Sequence, residues 1–354
     1  MTAPLAAAIE ALQRSFHGLE EVVRVDVGDD GALGLCARGG GTTRWFVHDA
    51  DGLVERFPAR DESLPLAAWL RAHRDWRVLA YRPGRRAVVL ASGEEPAVVL
   101  KGHKRGRSQA AAARHAVAEA AARRGAFRTP RLARREAAHE ALVFEYLPGS
   151  EVELGLESAE AYARLGRGLA LFQELPASEL EPFDVRDELA VLERWKHKVL
   201  QATHALPAGW SEVAARLERR AAGLPEARLG PCHRDLHDRQ VHRHDGEIVL
   251  FDFDLLCRAD VALDAGNLVA HLSWRACQRL HGADPIRARA LVGAFLGGLG
   301  RAREPDFEPR LAFYTASALL RLALVYRLRP RWSSAVGELV ALAGGTLDEL
   351  ISSR

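Results

Sequence analysis

The stretch that decides the fold reads Cys232-His233-Arg234-Asp235-Leu236-His237-Asp238-Arg239-Gln240, and it is followed by Ile248-Val249-Leu250-Phe251-Asp252-Phe253-Asp254. The apolar run from Ile248 to Phe253 predicts a strand. Alternate side chains of a strand share a face, so we expect Asp252 and Asp254 to point the same way. Two carboxylates at this spacing suit a hard divalent cation such as Mg²⁺. A solvated aspartate pair is the simpler interpretation, but it leaves the upstream His233-x-Asp235 unexplained.

The order of these motifs resembles a known family. His233-x-Asp235-x-x-x-x-Gln240 followed by Asp252-Phe253-Asp254 is similar to the catalytic and metal-binding loops of the aminoglycoside phosphotransferase and choline kinase family. Further similarity lies in Ala97–Lys101, Phe144–Gly149 and Asp260–Leu268, and the resemblance covers roughly residues 76–351. It implies an α+β, two-lobed, protein-kinase-like fold with a β-rich N-lobe and a helical C-lobe. It also implies a small-molecule kinase that moves the γ-phosphate of ATP or GTP to a hydroxyl group.

The resemblance assigns roles to the residues of the two loops. Asp235 would accept the proton of the substrate hydroxyl, a role typically worth about 10²–10⁴ in rate. His233 would orient the catalytic loop. Asp252 would hold Mg²⁺ at the phosphates, with Gln240 and Asp254 completing the coordination.

The resemblance also implies a nucleotide site upstream of these loops. Lys101 would contact the phosphates and be held by Glu119 on the next helix. The turn Arg82-Pro83-Gly84-Arg85 would lie over the phosphates, where Arg85 replaces part of the work of backbone N–H groups. Glu145 and Tyr146, in the segment between the lobes, would contact the nucleotide.

Gln240 departs from the family pattern, which usually has Asn. The longer side chain moves the amide oxygen by roughly 1 Å, and a misplacement of that size can cost about 10²-fold in rate. One interpretation is a subgroup built around Gln. The other is a degraded second metal site, which would make the chain a catalytically weak or inactive nucleotide-binding module.

Pattern changes along the chain predict three parts. Residues 1–75 read as an extra N-terminal α+β cap, with a helix at Pro4–Phe16 and four β-like runs. Residues 76–149 read as the N-lobe with its hinge, including a helix that begins at Ser108. Residues 150–354 read as a mainly helical C-lobe, interrupted by strands and turns at Gly230–Leu256.

Composition excludes some classes of protein. The formal charge is only +2, which disfavours nucleic acid as the main partner. No apolar run is long enough to span a membrane, the first residues lack a basic leader, and four scattered cysteines fit reduced thiols, so we expect a cytoplasmic protein. The expected partners are a nucleoside triphosphate and a small hydroxylated acceptor. The oligomeric state stays open. Only four of the 49 basic residues are lysines, which makes Lys101 notable.

The helix after the metal motif carries candidate acceptor contacts. Asp264, Asn267, His271 and Trp274 are spaced 3, 4 and 3 apart, which places them on one helical face. Asp264 is expected to be a buried support for the catalytic loop. His271 and Trp274 either line the acceptor pocket or belong to that support. His237 is either a substrate contact or a surface residue.

Charge gives a weak indication of the acceptor class. Residues 255–354 contain 13 arginines, no lysine and 9 acidic residues, which disfavours a polycationic acceptor. A sugar, an amino sugar and an aminoglycoside-like acceptor stay open, with a preference for a neutral or anionic one. A protein kinase is disfavoured, because Asp260 follows Asp252 by only eight positions. A zinc site is a minor alternative, because the spacing of the histidines and the cysteine matches no common ligand pattern; these are Cys232, His233, His237, His242 and His244.

Overall fold

The computed structural model describes residues 3–93, 95–280, 283–301, 304 and 306–352. The cap starts with a helix and continues as a four-stranded antiparallel sheet whose strands follow chain order. A second helix leads into the N-lobe. These elements are α1 (Pro4–Ser15), β1 (Glu21–Val27), β2 (Leu33–Gly39), β3 (Thr42–Asp49), β4 (Gly52–Arg56) and α2 (Leu66–Ala72).

The N-lobe is a five-stranded antiparallel sheet with one helix. Its strands lie in the order β5-β6-β7-β9-β8, with elements β5 (Trp76–Arg82), β6 (Arg86–Ala91), β7 (Val98–His103), α3 (Ser108–Arg123), β8 (Leu132–Glu136) and β9 (Ala141–Glu145). Ser108 is the first residue of α3, as predicted, and Arg107 occupies the N-cap. β8, with sequence Leu-Ala-Arg-Arg-Glu, was not predicted, because three charged residues in five hide the strand pattern.

The C-lobe is mainly helical, as predicted. Its helices are α4 (Ala159–Gln173), α5 (Val185–Thr203), α6 (Trp210–Ala221), α7 (Ala262–Gln278), α8 (Pro285–Leu299), α9 (Phe307–Arg327) and α10 (Val336–Ser352). Its short strands are β10 (Ser150–Glu151), β11 (Leu229–Cys232), β12 (Val241–His244), β13 (Glu247–Leu250) and β14 (Cys257–Asp260). Helix α5 begins with a capping box, in which Asp184 accepts from two backbone N–H groups and the Asp187 side chain accepts from the N–H of Asp184.

The apolar core connects the cap to both lobes. We refer to the four-stranded sheet of the cap, β1 to β4, as the meander. One large cluster contains α1 and the meander, through Leu12, Val25 and Phe46, together with the helices of the C-lobe. A smaller cluster packs α2, through residues such as Trp69, against the N-lobe sheet. The cap therefore contacts both sides of the molecule, while the boundaries at residues 75 and 149 stay predictions. No helix of the described residues is long and apolar enough to cross a membrane.

Candidate active site

A cleft of about 400 Å³ lies between the N-lobe sheet and the C-lobe. One wall comes from β5, β6, β7 and the segment after β9, and the other from the ends of β12 and β13. We refer to this space as the donor cleft. Among its lining residues are six of the predicted site residues, namely Lys101, Glu145, Tyr146, Gln240, Asp252 and Asp254.

Two carboxylates and two cations form a compact cluster in the donor cleft. The ammonium of Lys101 lies 2.6 Å from an oxygen of Asp252 and 2.6 Å from an oxygen of Asp254. The guanidinium of Arg86 lies 3.1 Å from the second oxygen of each carboxylate. Burial alone would raise the pKa of Asp252, but the charges of Lys101 and Arg86 outweigh it and hold that pKa well below its ordinary value. Asp252 is therefore ionised throughout the physiological pH range.

The backbone, more than strand alternation, brings the two carboxylates together. Strand β13 ends at Leu250, so the prediction of a strand through Phe253 was wrong. Asp252 adopts the left-handed conformation with φ of +66°, and a 3₁₀ turn follows at Phe253–Leu255. The side chain of Phe253 is buried between the lobes' helices, where it packs 4.7 Å from the His233 ring, measured between centroids. This anchor holds the turn in place.

Side chains of α7 bind the backbone of the catalytic loop, the segment His233–Gln240. Asp264 is fully buried, and its carboxylate accepts hydrogen bonds of 2.7 Å from the backbone N–H groups of His233 and Arg234. Asn267, one turn later, donates to the carbonyl of Arg234 at 2.9 Å. This contact holds Arg234 in a left-handed conformation with φ of +68°. Burial raises the pKa of Asp264 above its ordinary value.

His233 connects the two loops. Its Nδ1 accepts a hydrogen bond from the backbone N–H of Asp235 at 3.3 Å, and its Nε2 lies 2.7 Å from the carbonyl of Phe251, the residue before Asp252. Because Nδ1 accepts, Nε2 carries a proton, which it donates to the carbonyl of Phe251. These two hydrogen bonds join the loop of Asp235 to the residue before Asp252, while the orienting role of His233 stays a prediction.

A second and larger cavity, of about 960 Å³, borders the catalytic loop. Its walls come from β1, the turn between β5 and β6, α5, α7 and α9. Asp235, His237 and His271 line it, as does Arg85. We refer to this space as the acceptor cavity, because the family resemblance predicts that Asp235 lies beside the acceptor. Asp235 thus faces one space, while Asp252 faces the other.

The sequence of residues 78–313 matches the phosphotransferase enzyme family. This match covers about two thirds of the chain. The chain belongs to that family. It is therefore a phosphotransferase, and the predicted kinase-like fold is confirmed by solved structures with the same arrangement. No curated protein matches the sequence.

Three solved structures illustrate the shared fold. A choline/ethanolamine kinase family protein from Mesorhizobium loti has 19% identity and a TM-score of 0.52, covering 83% of this chain and 93% of its own. Amicoumacin kinase, solved with AMP-PNP, Ca²⁺ and Ami, has 16% identity and a TM-score of 0.55, covering 78% and 88%. A choline kinase from Cryptosporidium parvum Iowa II has 10% identity and a TM-score of 0.56, covering 83% and 94%.

Two of the expected nucleotide contacts of the phosphotransferase lie elsewhere. Glu119 accepts from the backbone N–H of Leu132 at 2.8 Å and lies 3.9 Å from His115, so it fastens α3 to β8. Its expected partner Lys101 pairs with the metal-motif carboxylates. Arg85 points away from the donor cleft, with its guanidinium 3.9 Å from Asp29 in the cap.

Arg86 takes the place in the donor cleft that we expected for Arg85. Strand pairing explains the difference, because Val88 lies opposite Lys101 and residues two apart on β6 share a face. Arg86, Val88 and Lys101 therefore face the cleft together. The sequence contained this signal, but it becomes visible only when the register between β6 and β7 is known.

The predicted face of α7 divides between support and cavity. His271 lines the acceptor cavity, whereas Trp274 is fully buried with its ring 5.0 Å from Tyr326 and 6.2 Å from Trp332. Trp274 is therefore not among the lining residues, and Asp264 and Asn267 support the loop. The rings of His237 and His271 stack at 4.8 Å, and burial lowers the pKa of both imidazoles.

The structure does not bring together the five residues of the zinc-site alternative. Within the described ranges, the one group of three close His, Cys or acidic ligand atoms is His237, Asp238 and His271. Cys232 is buried, with its thiol against the carbonyl of Asp260 at 3.3 Å. Among the five residues of that alternative, only His237 belongs to the close group.

Proposed function

We propose that this phosphotransferase moves the γ-phosphate of ATP or GTP to a hydroxyl group of a sugar-like small molecule. The observation that carries the proposal is the position of His233 between Asp235, in the acceptor cavity, and Asp252, in the donor cleft. One buried ring thus couples the general base to the phosphate-side carboxylates. Phosphoryl transfer depends mainly on such positioning and on neutralising phosphate charge.

The donor cleft supplies the groups that a nucleotide and its metal require. Asp252, Asp254 and Gln240 offer carboxylate and amide oxygens, which fit the preference of Mg²⁺. When bound there, Mg²⁺ would neutralise charge on the phosphates. Lys101 and Arg86 would add two cations to the same wall. Glu145 and Tyr146 line the cleft where the base of the nucleotide would lie.

On the acceptor side, Asp235 would take the proton of the attacking hydroxyl. The hydroxyl oxygen forms a bond to the γ-phosphorus, and the bond from that phosphorus to the bridging β–γ oxygen breaks. Its electron pair stays on the nucleoside diphosphate. His233 and Asp264 would act as positioning residues, because their hydrogen bonds fix the loop that carries Asp235.

Gln240 decides between an active enzyme and an inactive nucleotide-binding module. Two backbone hydrogen bonds hold Gln240. Its N–H donates to the carbonyl oxygen of His237 at 2.9 Å, and its carbonyl oxygen accepts from the N–H of Phe251 at 3.3 Å. The residue therefore stays in the wall of the donor cleft. We favour an active site built around Gln.

The test combines nucleotide binding with release of nucleoside diphosphate. Wild type, Asp235→Asn and Asp252→Asn are compared with ATP, GTP and Mg²⁺ over a panel of sugars, amino sugars, choline-like alcohols and aminoglycosides. Asp51→Asn, at an exposed turn of the cap, is the matched control. We expect Asp235→Asn to bind nucleotide like wild type and to lose about 10²-fold or more of the transfer rate. Binding without turnover on any acceptor supports the inactive module, and no binding refutes the proposal.

A further inference from the structure

The acceptor cavity is lined by many more basic than acidic side chains. Ten basic residues face it, against four carboxylates, and they come from the cap, the N-lobe and four separate segments of the C-lobe. The basic residues are Arg24, Arg82, Arg85, Arg194, Lys198, Arg234, Arg239, Arg275, Arg321 and Arg329. Arg239, Arg275 and Arg321 are paired with carboxylates that do not line the cavity. The excess that remains around one cavity favours a negatively charged occupant.

Each of the four carboxylates already has either a basic partner or a proposed catalytic role. Asp26 lies 2.9 Å from Arg24, and Asp29 lies 3.3 Å from Lys198. Glu193 is paired with Lys196, which does not line the cavity, at 3.0 Å. The fourth is Asp235, the proposed base. The cavity therefore offers no free carboxylate, among the described residues, for the ammonium groups of an aminoglycoside.

Two of the arginines have groups that lack a partner. The Nε atoms of Arg82 and Arg329 are buried without a hydrogen-bond acceptor among the described residues. Burial lowers the pKa of both guanidinium groups, and the nearby charges of Arg24 and Arg275 lower that of Arg329 further. A buried, crowded cation costs free energy unless an anion compensates it. A ligand that brings a negative charge would remove this cost.

The same cavity also has neutral polar atoms suited to hydroxyl groups. Nδ1 of His237 and Nδ1 of His271 are buried and have no hydrogen-bond partner among the described residues. Both rings are neutral at pH 7, because burial lowers their pKa values, and each can donate or accept one hydrogen bond. These atoms lie on the same wall as Arg275, which is itself fixed by Asp238 at 2.8 Å.

We infer that the acceptor of this enzyme carries a phosphate or carboxylate group besides the hydroxyl that is phosphorylated. Arg82 and Arg329 bind this anionic group, and His237 and His271 contact the hydroxyls of the same molecule. The acceptor class is thus a phosphorylated or acidic sugar, and the product carries two anionic groups. The inference rests on the proposed function, since it concerns the acceptor side of the same reaction.

The first test needs no variant. Binding of glucose, glucosamine, glucuronate and glucose 6-phosphate to the full chain is measured by calorimetry at fixed ionic strength, with Mg²⁺ and a non-hydrolysable ATP analogue saturating the donor cleft. The four probes share the ring configuration of glucose and its 3- and 4-hydroxyl groups, and they differ in charge at the 2- or the 6-position. We expect at least one anionic probe to bind about tenfold or more tightly than glucose, a factor that one charge-assisted hydrogen bond can supply. The carboxylate and phosphate probes separate the two possible anions.

The second test locates the binding site. Arg82→Gln and Arg329→Gln are expected to lose about tenfold in affinity for the anionic probe and little for glucose. Arg219→Gln removes an exposed arginine from α6, outside the cavity, and serves as the matched control. Binding that is equally weakened for glucose contradicts a specific anion contact.

The outcomes separate this inference from the proposed function. Glucose or glucosamine binding as tightly as both anionic probes overturns the inference, and so does failure of both anionic probes and of inorganic phosphate to bind. Either result leaves phosphoryl transfer to another acceptor intact. Tight binding of an anionic probe supports the anion site; if the same probe then gives no release of nucleoside diphosphate when ATP and Mg²⁺ replace the analogue, that result contradicts the proposed function.

Discussion

Replacing Lys101 with Met tests the charge cluster of the donor cleft most directly. The ammonium contacts both metal-motif carboxylates at 2.6 Å, and its side chain is 11% exposed. Removing one partner from a buried ion pair costs about 3–5 kcal/mol. Arg86 keeps its contacts with both carboxylates, whose side chains are about a quarter exposed, so water and Arg86 replace part of the loss. We expect the free energy of unfolding to fall by about 2 kcal/mol, below the fully buried range.

The pH dependence gives this prediction its sign. The pKa of Asp252 is lowered in the folded state, so its ion pairs stabilise the protein above the pKa of the unfolded aspartate, about 3.9, and this contribution is lost on acidification. In Lys101→Met less of that contribution exists. The difference in unfolding free energy between wild type and variant should therefore stay nearly constant from about pH 7 to about pH 5 and shrink as the pH falls below about 3.9.

Urea unfolding followed by tryptophan fluorescence measures both quantities. Lys196→Met is the matched control, because Lys196 pairs with Glu193 on the surface, where an ion pair contributes about 0–1 kcal/mol. If Lys101→Met is no less stable than Lys196→Met, or if the difference does not change with pH, the proposed electrostatic role of Lys101 is refuted.

Three further substitutions probe packing, the loop and the metal motif. Gly298→Ala places a Cβ 2.0 Å from the carbonyl oxygen of Ala163, whereas the Cβ of Gly297→Ala meets nothing within 4 Å. In thermal unfolding, the first variant should lose stability and the second should gain about 0.4–1 kcal/mol. Equal melting temperatures would contradict this packing of the helix. Asp264→Asn replaces a carboxylate that accepts from two backbone N–H groups by an amide with one accepting oxygen, so one N–H of the catalytic loop loses its acceptor. A stability loss of about 1–3 kcal/mol is expected in urea, with kcat falling more than KM rises; unchanged kcat would exclude its positioning role. Gln240→Asn should weaken Mg²⁺-dependent nucleotide binding if the site is built around Gln, and tighter binding in calorimetry would favour the degraded-site interpretation.

The sequence was most informative where local pattern and chemistry coincide. The first helix of the cap, the four strands after it and the mainly helical C-lobe follow from hydrophobic periodicity and turn residues. The family resemblance implied that Asp252, Asp254 and Lys101 belong to one site, and the three side chains form ion pairs in the structure. Asp264 was expected as a support for the loop, and its hydrogen bonds agree.

Contacts that depend on tertiary structure could not be predicted from the sequence. The left-handed backbone of Asp252 depends on the buried anchor of Phe253, and no local preference indicates it. The roles of Arg85 and Arg86 depend on strand register, in which a shift of one residue exchanges the faces. The acceptor cavity joins Arg24 with Arg329, which are about 300 positions apart in the chain, so composition alone could not reveal their convergence.

The two-sided packing of the cap has a mechanical consequence. A two-lobed molecule joined only at the segment after β9 could open like a clamshell, but here the meander shares its core with the C-lobe while α2 packs on the N-lobe sheet. The lobes are thus joined at two places, and their relative rotation is restricted to axes that both connections permit. A shortened chain that starts at β5 would lose this restraint. It would also lack Leu12, Phe46 and Trp69, so the apolar surfaces on which these buried residues pack would become exposed. The cap should accordingly be retained in any form of the protein prepared for binding measurements.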